Sequence, residues 1–187
     1  MPDEPEVCAI RFNIEIPSTP WDTEDALVNE IKGTIIGIER DKEVRYGSIE
    51  LLLVHLPEAW YFGVPMHDLG DAHSQLLEWI VATFYDPETE EPKEEFDIEP
   101  IPRDLVVITS LKLKRKYRTV DTVVQTVETA VTFLAHNGLI VAVMDGKEHR
   151  GLKLTVAEWK ALGFAKVPQS PLVFRDHCRI NPYTGND

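Results

Sequence analysis

The stretch from Leu105 to Val143 constrains this chain more than any other. Leu105-Val106-Val107-Ile108, continued by Leu111 and Leu113, is a strongly apolar run, and Leu139-Ile140-Val141-Ala142-Val143 is a second. Between them Val120, Val123, Val124, Val127, Ala130, Val131 and Leu134 recur at helical spacing, and Asn137-Gly138 supplies a helix stop. Strands without polar alternation need cover on both faces, and two such strands joined through one helix pair in parallel. The expected fold is therefore α/β (α+β) with a mixed sheet that holds one parallel βαβ unit.

The rest of the chain supplies the antiparallel part. Glu6 to Ile16 alternates apolar and polar residues and reads as a strand stopped by Pro17. Ile31 to Ile38 and Ser48 to Leu56 read as two more strands, joined in a long hairpin by the charged stretch Glu39 to Arg45. Leu69, Ala72, Leu76, Leu77, Ile80 and Phe84 predict one helix, capped by Asp68. Thr155 to Leu162 predicts a short helix with Gly163 past its end, and Phe164 to Val167 pairs with Leu172 to Phe174. Thr119, Thr122, Thr126, Thr129 and Thr132 read as the solvated side of their helix.

With 187 residues, 43% of them hydrophobic, one domain with a substantial core is expected. It divides into strands and a helix over 1–85, an acidic proline-rich linker over 86–102, a βαβ core with a C-terminal hairpin over 103–176, and a tail over 177–187. No apolar run approaches a membrane span, and the acidic N-terminus is unlike a signal peptide. Cys8 and Cys178 are too few for a disulfide framework. These features point to a soluble, cytoplasmic protein.

Charge is unevenly placed. Residues 1–100 hold 6 basic and 24 acidic side chains, whereas residues 101–187 hold 13 basic and 8 acidic. So acidic a first half argues against direct nucleic-acid binding, where phosphate contacts supply the affinity, and fits a basic protein partner or a cationic amine. Lys112, Lys114 and Lys116 would share one face of an extended strand. They read equally as a protected strand edge or as part of an anion site. His67 and His73, six residues apart, do not share a helix face, and no metal site is assigned.

The order of Leu105 to Arg118, the amphipathic helix, Leu139 to Val143, and Glu158-Trp159-Lys160-Ala161-Leu162-Gly163-Phe164 resembles the GCN5-related N-acetyltransferase (GNAT) superfamily over about 70 residues. The resemblance implies a mixed, mostly antiparallel twisted sheet with one parallel βαβ unit, flanked by helices, whose fourth and fifth strands splay apart to admit the pantetheine arm of acetyl-CoA or another acyl-CoA. The strand Leu111, Lys112 and Leu113 would hold that arm. Arg118, Thr119, Val120, Asp121, Thr122 and Val123 would form the pyrophosphate loop, at a helix N-terminus suited to anions.

The family's loop carries an Arg or Gln, two residues, Gly, one residue, then Gly or Ala. Here Arg118 is kept, the first glycine is Asp121 and the second position is Val123. A carboxylate about 4 Å from a phosphate costs about 1 to 4 kcal/mol, depending on the effective dielectric, and the bulk of Val123 adds to it. Trp159 stands where family members often carry a tyrosine acid. Glu50 and His55 on the earlier strand, and His149 beyond the second apolar run, are the candidate catalytic bases.

Two functions follow. One is a non-catalytic binding or regulatory protein that needs no cofactor. The other is an active N-acetyltransferase acting on a cationic amine of a small molecule or protein. A third reading takes residues 86–99 as the arm of an acidic nucleic-acid-mimicking inhibitor. The oligomeric state is not legible.

Overall fold

The computed structural model describes residues 7–14, 24–99, 103–134, 138–144 and 154–176. Among these the chain is an α/β protein built on a mixed, mostly antiparallel sheet. Its strands are β1 (Val7–Ile14), β2 (Val28–Glu39), β3 (Lys42–Val54), β4 (Leu105–Leu113), β5 (Leu139–Val143), β6 (Ala165–Lys166) and β7 (Leu172–Asp176). They lie in the order β1-β2-β3-β4-β5-β7-β6, and only the β4–β5 pair is parallel.

Alternation in β4 divides the core. Val106 and Ile108 face one side with Ile35, Ile49 and Ile140, under α5 (Val120–Leu134) and α6 (Val156–Ala161). Leu105 and Val107 face the other with Leu52, Val54 and Val141. That second face is covered by α2 (Leu56–Phe62), α3 (Met66–His73) and α4 (Gln75–Phe84), with the short α1 (Glu24–Leu27) beside them. Both neighbouring apolar runs are thus buried on two sides, which is why neither alternates.

Several local expectations change. The helix expected from Asp68 to Phe84 is two helices. Ser74 between them is extended (φ −167°, ψ 151°), and its hydroxyl accepts from the Leu77 N–H to start α4. Gly70 permits the tight corner, since a Cβ there would stand 2.8 Å from the Glu78 Cα. Pro65, rather than Asp68, precedes the first turn of α3. The charged stretch 39–45 is mostly strand, and the β2–β3 turn is only Arg40-Asp41, both at positive φ (49° and 61°).

Thr122 and Thr126 are fully buried, so the threonine side of α5 is not wholly solvated. Their hydroxyls are satisfied within the helix, with Thr126 Oγ1 donating to the Thr122 carbonyl at 2.7 Å. The lysines do not form one strand face either. β4 ends at Leu113, and Lys116 lies in a 3₁₀ turn with its ammonium 3.0 Å from Glu39.

The acidic segment after α4 folds back on the domain. Lys93 N–H donates to the Phe84 carbonyl at 2.8 Å, and Phe96 packs against Phe84 and Phe174 with ring centroids 4.7 and 5.6 Å away. Among the described residues no helix is long and apolar enough to cross a membrane.

Candidate functional site

The junction of β4 and α5, where the cofactor loop was expected, is closed by the chain's own groups. Tyr117 is buried and stacks on Tyr46 of β3, with ring centroids 3.8 Å apart. Arg118 turns back, its Nη2 donating to the Leu113 carbonyl at 3.2 Å. Thr119 caps α5: its Oγ1 accepts from the Thr122 N–H at 3.1 Å and meets the Thr122 hydroxyl at 2.8 Å. Val120 and Asp121 are exposed, so the acid at the first glycine position projects to solvent. Val123 points into the core, with Val127, rather than towards the loop. Its bulk is therefore not a steric obstacle above the helix end.

Leu111, Lys112 and Leu113 pair with Ile49, Ser48 and Gly47 of β3. On the other side the ladder to β5 stops at Ile108–Ala142, so from Thr109 onward β4 has no β5 partner among the described residues. Thr109 is the extra residue of a bulge, because Glu50 faces Ser110 while Leu51 faces Ile108. Its hydroxyl donates to the Glu50 carbonyl at 3.0 Å. Residues 145–153, which follow β5, lie outside the described residues.

Cross-strand register gathers polar side chains on the part of the sheet that α2–α4 leave bare. Asn13, Lys32, Glu50 and Ser110 form one row; Arg11, Thr34, Ser48 and Lys112 form the next. Arg11, Asn13, Lys32, Thr34, Ser48 and Glu50 line a shallow hollow of about 440 Å³. Glu50 is 3.7 Å from Lys112. Besides Glu50, the charged side chains that line the hollow are Arg11, Lys32 and Arg45, and Glu43 of β3 pairs with Arg11 at 2.6 Å.

His55 is not part of this site. It follows the last residue of β3, about 17 Å along the strand from Glu50 at roughly 3.4 Å per residue. These two candidate bases are not brought together, and His149 lies outside the described residues. His55 Nδ1 instead lies 3.5 Å from Asp104 Oδ1.

The α2 region was missed as a helix, although Pro57 and Glu58 at its start and Gly63 at its end (φ +70°) are ordinary start and stop signals. It presents Trp60, Tyr61 and Phe62 at 71%, 78% and 45% exposure. Beside it is a cavity of about 280 Å³, lined by Trp60, Met66, Tyr85, Glu90, Glu91 and Arg103 among others. Arg103 is nearly buried and pairs with Glu99 and, at 3.0 Å, with Asp176. Burial, then the Asp176 charge, pushes the Tyr85 hydroxyl well above its usual range, so it stays protonated.

No protein-family model, no curated protein and no solved structure matches this chain.

Proposed function

We propose that this chain is a GNAT-like protein that works by binding, without acyl transfer. The carrying observation is the internally satisfied β4–α5 junction. Thr119 occupies one of the helix N–H groups that would hold pyrophosphate, Arg118 is spent on the Leu113 carbonyl, and Asp121 adds a negative charge. The binding surface in this reading is α2. Three consecutive exposed aromatics are unusual on a solvated helix and typical of the centre of an interface. Glu88, Glu90, Glu91, Glu94 and Glu95 on the neighbouring acidic segment favour a basic protein partner. Isothermal titration with acetyl-CoA tests it: no heat at millimolar cofactor is expected, and micromolar binding overturns it.

A second reading, an acetyl-CoA-dependent N-acetyltransferase, draws on the ending of the β4–β5 ladder after Ile108–Ala142 and on Glu50 of β3, which faces Ser110 on the other edge of β4. In that reading Glu50 takes the amine's proton. The Lys32 and Lys112 beside it disfavour a cationic amine, so the acceptor is neutral or anionic overall. Micromolar acetyl-CoA binding that a Glu50→Gln variant retains while losing turnover would support it.

A further inference from the structure

Three ligand-type side chains meet where β3 hands over to α2. His55 is held by its backbone N–H, which donates to the Leu27 carbonyl at 2.9 Å. Glu58 lies three residues on, in the first turn of α2, and so on the same side. Asp104 immediately precedes Leu105, which pairs with Val54. The Asp104 carbonyl accepts from the Leu139 N–H at 3.0 Å. Two strand ends and a helical turn therefore hold the three residues on regular structure.

One donor atom from each of the three lies within 4.8 Å of the others. The His55 Nδ1 to Asp104 Oδ1 separation of 3.5 Å is long for a hydrogen bond between these groups. It is close to the edge of about 3.4 Å that a tetrahedral ion with bonds of about 2.0–2.1 Å sets between two ligands. Glu58 Oε2 is buried and has no hydrogen-bond partner among the described residues. A desolvated carboxylate oxygen without a donor is costly, and a cation beside it removes that cost. The neighbouring Arg103 does not serve this purpose, being engaged by Glu99 and Asp176.

We infer that His55, Glu58 and Asp104 form a divalent-cation site, with Zn²⁺ as the fitting ion. One imidazole and two carboxylates are a zinc-type donor set, the two carboxylates balance the ion's charge, and water completes four-coordination. All three residues are partly exposed, which gives the ion a way in. The ion would tie the first turn of α2 to the start of β4, and so fix the helix that carries Trp60, Tyr61 and Phe62. The site stands apart from the acyl-CoA question, since neither reading of the β4–α5 junction uses it.

The test is calorimetric titration of chelator-treated full-length protein with ZnCl₂, repeated with His55→Ala, Glu58→Gln and Asp104→Asn. Glu58→Gln is nearly isosteric and guards against loss of the fold, which far-ultraviolet circular dichroism checks. Binding of one Zn²⁺ at micromolar or lower Kd is expected, weakened about 100-fold or more by His55→Ala and at least about tenfold by Glu58→Gln. Co²⁺ in place of Zn²⁺ should give the visible absorption of a four-coordinate ion, lost in the same variants. No binding by the wild type overturns the site. So does Zn²⁺ binding that survives all three substitutions, which would locate the ion on other residues.

Discussion

The ring of Tyr117 lies flat on that of Tyr46, 3.8 Å between centroids and 19° between planes. This one contact ties the turn between β4 and α5 to the middle of β3. Both rings are buried, and burial raises the Tyr46 hydroxyl above its usual range. Tyr117→Ala should cost about 3–5 kcal/mol in urea unfolding, as for other large buried aromatics. Gly37 belongs to the same contact, because a Cβ there would fall inside the Tyr46 ring. Gly37→Ala should therefore be strongly destabilising alone and much less so in a Tyr46→Ala background. Additive effects of the two changes would refute the contact.

The cap of α5 should be measurable on its own. Thr119→Ala removes the acceptor for the Thr122 N–H and should lower stability by about 1 kcal/mol. The same variant should remain without acetyl-CoA binding, since Asp121 still projects at the helix end.

The aromatic surface of α2 should be silent in stability and decisive in binding. Trp60→Ala with Tyr61→Ala should shift unfolding by no more than about 0.5 kcal/mol per site, because both side chains are already solvated. Titration with an arginine-rich peptide should give heat with the wild type, less in high salt, and none with the double variant. Equal binding by both proteins would rule out this face.

Two capped turns set an acid dependence. The Glu158 carboxyl is held below its usual range by hydrogen bonds from the Thr155 backbone N–H and then the Thr155 hydroxyl, and Asp86 by the N–H groups of Thr89 and Glu88. Each binds its proton less readily folded than unfolded. Each thus adds stability above the ordinary carboxylate pKa and loses it as pH falls through the lowered value. The urea midpoint should drop between about pH 5 and pH 3. Glu158→Gln keeps an acceptor for the cap and should flatten part of that drop.

The Arg40-Asp41 turn is stabilisable. Both residues hold positive φ, which glycine and asparagine adopt with less strain. Arg40→Asn with Asp41→Gly should raise stability by roughly 0.5–1 kcal/mol, read as a higher thermal midpoint.

What was legible in the sequence follows the strength of each local signal. The β4–α5–β5 unit and the β6–β7 pairing were readable because continuous apolar runs and a 3.6-residue period leave little choice of partner. The break at Ser74 was hidden because the apolar spacing of α3 and α4 continues in phase across it, and only packing of Gly70 against Glu78 forces the corner. Charged Glu43 and Arg45 disguised the start of β3, since an uncovered sheet face tolerates charge. Glu50 stood out because it lies on a strand, and register then placed it opposite Ser110. The meeting of His55, Glu58 and Asp104 could not be read, because a long connection separates Glu58 from Asp104 and only the Val54–Leu105 pairing joins them.

The two-residue turn between β2 and β3 has a kinetic consequence. These strands are adjacent in the chain and pair along their whole length, from Glu39–Lys42 to Val28–Val54. Such a ribbon closes with little loop entropy and can form on a microsecond scale. β4 joins its edge only after three helices and the acidic segment have been traversed. The hairpin is thus expected to form first, with the capture of β4 as the slow step. Changes in the hairpin should alter how fast the chain folds, whereas changes in α2–α4 should alter mainly how long it stays folded.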